Sequence, residues 1–207
     1  MQAAEHTDTV NELLPEHDEK GLTSWHWAVL SRNIQISEIL LEWAEKNLMT
    51  DKLESKLFAR DCNGRNAWHW TAELARLKVL LTQWECAKRK LTTEEINNEI
   101  LLATDSDGKT VWNIAAGMEN GDLLQELWVW AKEALITEEI KNSFFHSGYI
   151  DIIFWHTSVK YCGLELLMDI WEWVKGKLTT EEIKILLLTA DGIGLTAWHV
   201  AVERGYF

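Results

Sequence analysis

Apolar residues recur in short blocks at helical spacing. Leu123, Leu124, Leu127, Trp128 and Ala131 form one such face. Ile36, Ile39, Leu40 and Trp43 form another, and predict a helix with that stripe buried. A second kind of block opens with hydroxyls and carboxylates. In Thr92-Thr93-Glu94-Glu95-Ile96 and Thr179-Thr180-Glu181-Glu182-Ile183, a capping hydroxyl precedes acids that face the positive end of a helix dipole. Ile96, Ile100 and Leu101 follow as a face suited to burial, and Ile140, Phe144 and Phe145 repeat it.

These blocks are periodic. Trp25, Trp68, Trp112, Trp155 and Trp198 are separated by 43, 44, 43 and 43 residues. Trp43, Cys86, Trp130 and Trp173 form a second column, and Leu41, Trp84, Trp128 and Trp171 a third. Trp27 and Trp70 share a fourth with Ile114, Thr157 and Val200. These columns hold all 13 tryptophans, which reads as a repeated core.

A turn precedes each first Trp: Asp18 to Gly21, Asp61 to Gly64, Asp105 to Gly108 and Asp191 to Gly194. The fourth copy departs, with Gly148 and Asp151. A threonine column follows at Thr50, Thr93, Thr137 and Thr180. From threonine to the next turn is 11 residues at Thr50, but 12 from Thr93 to Asp105, so the extra residue lies there. Each full repeat therefore predicts three helices. The first is capped near the turn threonine, as at Thr110 or Thr196, and carries a small-residue column: Ala28, Thr71, Ala115, Ser158 and Ala201.

The expected organisation is a single array over residues 1–207. Residues 1–17 read as the end of an incomplete repeat, with Thr7-Asp8-Thr9-Val10 in register with Thr50-Asp51-Lys52-Leu53. Repeats follow at 18–60, 61–104, 105–147 and 148–190, then a partial one at 191–207.

The segment Asp191-Gly192-Ile193-Gly194-Leu195-Thr196-Ala197-Trp198-His199-Val200-Ala201-Val202-Glu203-Arg204-Gly205 resembles the opening of an ankyrin repeat. Thr196, His199, Ala201 and Gly205 match that family's Asp-x-x-Gly-x-Thr-Pro-Leu-His-x-Ala-Ala-x-x-Gly, with Ala197 for Pro and Trp198 for Leu. Asp105, Gly108, Thr110, Ala115 and Ala116 match in the third repeat, which has Asn113 for His; His26 and His69 are kept in the first two. The ankyrin period is about 33 residues, and the surplus here is the Thr-Glu-Glu helix. HEAT or armadillo repeats, with periods of about 40 to 47, are the alternative. The turn and the Trp-His-x-Ala signature favour an all-α, ankyrin-like helical repeat solenoid. Each repeat is then an Asp-x-x-Gly turn, a helix pair and an extra short helix.

The resemblance implies that each His bonds the Thr three positions earlier. Thr23 with His26 and Thr196 with His199 retain the pair; Asn66 and Ile153 replace Thr elsewhere. It also implies a non-catalytic protein-interaction module that binds through turn tips and a concave helix face. The candidate contacts are Glu19, Lys20, Asn63, Arg65, Asp107, Lys109, Tyr149 and Ile150. The alternative is a structural segment of a longer repeat protein whose active part lies outside this chain, and the partial last repeat predicts self-association through an uncovered Trp198.

Composition narrows the classes. At 47% hydrophobic, the 207 residues suffice for a sizeable core, spread along an array. A net charge of −13 disfavours nucleic-acid binding, which relies on Lys and Arg against phosphates. The partner expected is another protein, with neither nucleic acid nor membrane. Cys62, Cys86 and Cys162 have neither a disulfide nor a zinc spacing, which suits reduced thiols in an intracellular, cytoplasmic protein. No basic segment leads into an apolar run, and no apolar run nears the roughly 18 residues of a membrane span.

No catalytic set or cofactor is expected. His26, His69, His156 and His199 occur once per repeat, and stacked helices lie about 8–10 Å apart. Zinc needs its nitrogens at about 2.0–2.1 Å from one ion. Glu94-Glu95, Glu138-Glu139 and Glu181-Glu182 stand where caps belong. Cys86 stands at a Trp position, hence buried and inert. No phosphate loop, Ser/His/Asp set or HExxH occurs.

Overall fold

The computed structural model describes residues 17–31, 33–135, 139, 156, 158–162, 164–191 and 193–205. The chain forms two compact units, Met1–Asp107 and Gly108–Phe207. The fold is all-α. Among the described residues there is no strand; isolated bridge residues occur at Thr104 and Thr110, and Ala190 and Thr196 form an antiparallel bridge.

The unit Met1–Asp107 holds two repeats. The first is α1 (Ser24–Leu30), α2 (Ile34–Asn47) and α3 (Thr50–Leu57). The second is α4 (Ala67–Glu73), α5 (Leu77–Lys90) and α6 (Thr93–Ile96), which runs on into a π-helical turn, Asn97–Leu101. Helix α1 packs on α2 and α4, α5 on α2 and α4. Trp25, Ala28, Val29, Leu41, Ala44, Trp68, Leu80, Trp84 and Ala87 fill the core.

The extra residue after Thr93 is absorbed by the π turn, where Leu102 N–H donates to the Asn97 carbonyl five residues back, at 2.8 Å. A π turn takes one surplus residue without ending the helix. Ile96, Ile100 and Leu101 stay buried across it. The cap is reciprocal: Thr92 N–H donates to Glu95 Oε2 at 2.7 Å, and Glu95 N–H to Thr92 Oγ1 at 3.3 Å.

The unit Gly108–Phe207 holds α7 (Val111–Gly117), α8 (Gly121–Ala134), helical residues 158–161, α9 (Leu164–Lys177), α10 (Thr180–Leu188) and α11 (Ala197–Glu203). Leu123, Leu124, Leu127, Trp128 and Ala131 are all buried, as their spacing predicts. Thr179 and Glu182 repeat the reciprocal cap at 2.6 and 3.3 Å. The stretch with Thr137, Ile140, Phe144, Phe145, Ile153 and Trp155 lies outside the described residues.

Three helices per repeat are thus seen in the first two, and the small column is buried at Ala28, Thr71, Ala115, Ser158 and Ala201. Two expectations need correction. On α2 the buried residues are Ser37, Leu41 and Ala44, while Ile36 and Ile39 are 45% and 66% exposed and Leu40 and Trp43 half-exposed. The stripe Ile36, Ile39, Trp43 is the side on which a helix meets its predecessor. Its counterparts Asp169 and Trp173 on α9 touch Trp128 of α8, whereas no described helix precedes α1. Nor are all tryptophans core. Trp27 is 55% exposed and Trp70 half-exposed, because that column faces the turn.

Candidate interaction surface

The turns are built from one carboxylate each. Asp18 Oδ1 accepts the N–H groups of Lys20 and Leu22 at 2.8 and 2.9 Å. Asp61 Oδ1 accepts those of Asn63 and Arg65, both at 2.9 Å, and Asp191 Oδ1 those of Ile193 and Leu195 at 3.0 and 2.9 Å. The second oxygen reaches forward: Trp27 Nε1 donates to Asp18 Oδ2 at 3.1 Å and Trp70 Nε1 to Asp61 Oδ2 at 3.0 Å. Burial pushes the Asp18 carboxyl up, but these N–H donors outweigh it and hold it below the ordinary value.

Asp105 has Ile114 in the Trp column. Its Oδ2 accepts Arg65 Nε at 3.2 Å. Arg65 also pairs with Glu73 and lies 5.6 Å from the Trp70 ring centre.

In Met1–Asp107 the turns are tied edge to edge. Cys62 N–H donates to the Lys20 carbonyl and Ser106 N–H to that of Asn63, both at 2.9 Å. Close approach explains the glycines: a Cβ on Gly64 would lie 3.0 Å from Ser106 Oγ, and Gly64 has φ +71°.

This register sorts the expected contacts. Glu19, Lys20, Asn63 and Asp107 are exposed at the tips. Arg65 is not a tip: its side chain is 17% exposed and engaged inward, and its column holds the buried Leu22. Lys109 shares that column and is half-exposed. Tyr149 and Ile150 lie outside the described residues. Cys62 and Ser106 were missed, although they occupy the tip position of Glu19 and are exposed. The two residues between Asp and Gly were the signal for them.

Histidines link repeats. His26 Nδ1 accepts the Thr23 N–H at 3.0 Å and the Thr23 hydroxyl at 2.9 Å. The proton therefore sits on Nε2, which donates to the Arg65 carbonyl of the next repeat at 3.0 Å. Asn66 replaces Thr without loss of the cap. Its Oδ1 accepts Trp68 and His69 N–H and lies 2.6 Å from His69 Nδ1. His69 Nε2 lies 3.2 Å from the Ala103 carbonyl. Asn113 replaces His as well, accepting the Thr110 N–H and hydroxyl at 2.9 and 2.8 Å. His156 Nε2 lies 3.0 Å from the Leu195 carbonyl, and Thr196 bonds His199. Burial lowers His26 and takes His69 to about 4, so both rings are neutral near pH 7.

In Gly108–Phe207 a cleft of about 290 Å³ lies among Glu119, His156, Lys160, Tyr161, Asp191 and Glu203. Tyr161 donates to Glu119, and the Arg204 guanidinium lies 5.5 Å from its ring centre. Among the described residues no group of three or more His, Cys, Asp or Glu is placed to hold a metal ion. None of their helices is long and apolar enough to cross a membrane.

These turns and helix pairs make an all-α repeat protein whose repeats resemble ankyrin repeats, lengthened by a third helix. No family model and no curated protein matches the sequence. Among solved structures, the crystal structure of the ankyrin repeat domain of Bcl-3, titled a unique member of the IkappaB protein family, aligns over 88% of this chain and 95% of that one. The two are 15% identical, with a TM-score of 0.35.

Proposed function

We propose that this chain is a non-catalytic protein–protein interaction module, with repeats bounded at 18–60, 61–104, 105–147, 148–190 and 191–207, that holds a partner through its turn tips and the adjoining first-helix face. The observation that carries this reading is the tip row of Met1–Asp107. Two backbone hydrogen bonds lock three turns together and leave Glu19, Lys20, Asn63 and Asp107 exposed along one edge. Repeat proteins bind through such extended surfaces, which lose little entropy because the scaffold is already ordered. The partner is a protein, and neither nucleic acid nor a membrane. The free cysteines suit an intracellular, cytoplasmic setting.

The test is charge reversal at the tips. Glu19→Lys, Lys20→Glu and Asp107→Lys should weaken binding of a purified partner while leaving the melting temperature unchanged. Unchanged affinity in all three variants would remove the tips from the interface.

A second reading rests on its own observation. Trp198 and Val202 are 46% and 65% exposed, although their columns are buried in other repeats. This suits a structural segment of a longer repeat protein. A longer version in which both become buried, and which alone binds the partner, would favour it.

A further inference from the structure

Asp18, Asp61, Asp105 and Asp191 differ in what reaches their second oxygen. Asp18 Oδ2 takes the indole N–H of Trp27 and Asp61 Oδ2 that of Trp70, nine residues on in each case. Nine residues after Asp105 stands Ile114, whose side chain has nothing to donate. There the Arg65 guanidinium takes the oxygen, its Nε donating to Asp105 Oδ2 at 3.2 Å. The same guanidinium pairs with Glu73. Where the indole is absent, the chain thus satisfies its turn with an arginine held between two carboxylates, a strong and geometrically selective contact.

At Asp191 both donors are missing. Val200 stands nine residues on, and Ile152 occupies the column of Arg65. Asp191 Oδ1 accepts the N–H groups of Ile193 and Leu195, but among the described residues no side chain donates to Oδ2. Burial pushes this carboxyl up, while the backbone N–H donors and His156 outweigh it and keep it charged at neutral pH. The cleft of about 290 Å³ lies here, and Val200 lines it where the first two repeats carry an indole. Gly117, at the end of α7, widens it: Glu73, Lys160 and Glu203 share its column, and a Cβ there would meet no described atom within 4 Å. Glu119, Asp191 and Glu203 line the cleft against one ammonium, that of Lys160. Glu119 accepts from Tyr161, and Lys160 lies 4.9 Å from that ring's centre, which leaves Asp191 and the exposed Glu203 to meet a ligand. The volume is at the lower end of ligand pockets, roughly 300 to 1,000 Å³, and suits a single side chain.

We propose that this cleft is a binding site for a guanidinium group, the arginine side chain of a partner protein. Asp191 Oδ2 takes it as Asp105 Oδ2 takes Arg65, and Glu203 pairs with it as Glu73 does. Its methylenes lie against Val200 and Leu195, where the smaller valine leaves room. A lysine answers this arrangement less well, because an ammonium is a point charge without the planar fork that spans two carboxylates. An indole from outside would supply one N–H but leave the excess negative charge unanswered. The site stands on its own geometry; only the partner protein as bearer of the arginine rests on the interaction module proposed above.

The probe is N-acetyl-arginine N-methylamide, titrated into the whole isotope-labelled chain and followed by NMR at the amides of Ile193 and Leu195, which bond Asp191. Saturable shifts are expected. The citrulline counterpart, of the same shape without the charge, should bind about tenfold more weakly or worse. Asp191→Asn keeps an oxygen for the turn and replaces the other with a group that cannot accept, and should weaken binding about tenfold. Because Asp191 also shapes the turn, Gly117→Leu carries the decision. It adds a helix-favouring side chain where no described atom stands, should leave the melting temperature unchanged or higher, and should fill the cleft and weaken binding about tenfold. No saturation, equal binding of the citrulline or lysine counterpart, tighter binding of the tryptophan counterpart, or indifference to Gly117→Leu would overturn the proposal. So would tighter binding of free arginine than of the capped probe, which assigns the site to the amino acid. Glu19→Lys and Asp107→Lys lie in the unit Met1–Asp107 and should leave probe binding unchanged, so this proposal and the tip reading fail separately.

Discussion

Trp70 donates its indole N–H to Asp61 at 3.0 Å, nine residues upstream, and so fastens the first helix of a repeat to its own turn. The other Asp61 oxygen accepts two backbone N–H groups of the same turn. One carboxylate thus organises three donors. Trp70→Phe removes one bond to a charged acceptor and should cost about 1.5 to 3 kcal/mol. Asp61→Ala strands all three donors and should cost more. Urea unfolding of both variants checks the order; a smaller loss for Asp61→Ala would contradict it.

Stability should fall as pH drops below the ordinary histidine value. His26 is neutral in the folded chain because burial lowers it, and His69 is lowered to about 4. The unfolded chain, with these groups near 6.5, binds more protons between those values, so stability rises with pH there. The contribution is complete above about 6.5 and lost as pH falls toward the folded value. For the fully buried His69, a change from 6.5 to about 4 corresponds to roughly 3 kcal/mol. The lowered carboxyls Asp18, Asp169 and Asp191 act only below about 4. His26→Asn should reproduce the Thr110–Asn113 cap, lose the bond to Arg65, and flatten the profile below pH 6.5. Melting temperatures across that range decide it; an equal slope in the variant would exclude His26.

What the sequence made legible was whatever repeats locally. The capping boxes at Thr92 and Thr179 follow from side chains three residues apart, and the structure has both. The surplus residue after Thr93 was locatable by counting. That it becomes a π turn was not, because continuing a helix or breaking it depends on Ile100 and Leu101 staying in the core. Periodicity showed the apolar stripe Ile36, Ile39, Trp43 but not whether a neighbour covers it. Arg65 read as a tip from its place beside the turn glycine; its column partner Leu22 is buried, and only the folded turn shows the guanidinium directed inward. Asn66 and Asn113 looked like departures from the Thr-His pair, yet an amide oxygen accepts the same N–H groups.

The three thiols should separate by rate. Burial pushes Cys86 up to about 12, with Glu45 beside it adding to the shift, and Cys162 to about 11. Thiolate is the reactive form, so neither should react at pH 8 while the chain is folded. Cys62 is exposed at a turn tip. Titration with an aromatic disulfide reagent should release one equivalent quickly and the other two only with unfolding. Cys62→Ser should abolish the fast phase. Fast modification of Cys86 in the native chain would contradict its burial at 1% exposure.

Ala75 and Glu119 sit in the left-handed region, at φ +53° and +58°, in the column where Gly205 has φ +72°. The ankyrin-like motif places glycine there, and a Cβ in that region costs about 1 to 2 kcal/mol. Part of that cost is recovered in the unfolded chain, where glycine is freer. Ala75 is exposed, so Ala75→Gly removes strain without opening a cavity and should raise stability by roughly 0.5 to 1 kcal/mol. Glu119→Gly gains the same relief but loses the bond from Tyr161, so its net gain should be smaller. The reverse change is graded by neighbours. Gly64→Ala meets Ser106 at 3.0 Å and must also loosen the bond from Ser106 to Asn63. Gly194→Ala, at φ +86° with no described atom within 4 Å, bears the backbone cost alone. Denaturant midpoints should therefore rank Ala75→Gly above the parent chain, then Gly194→Ala, then Gly64→Ala. If the two Gly→Ala variants lose equally, the edge-to-edge contact between turns contributes nothing to stability.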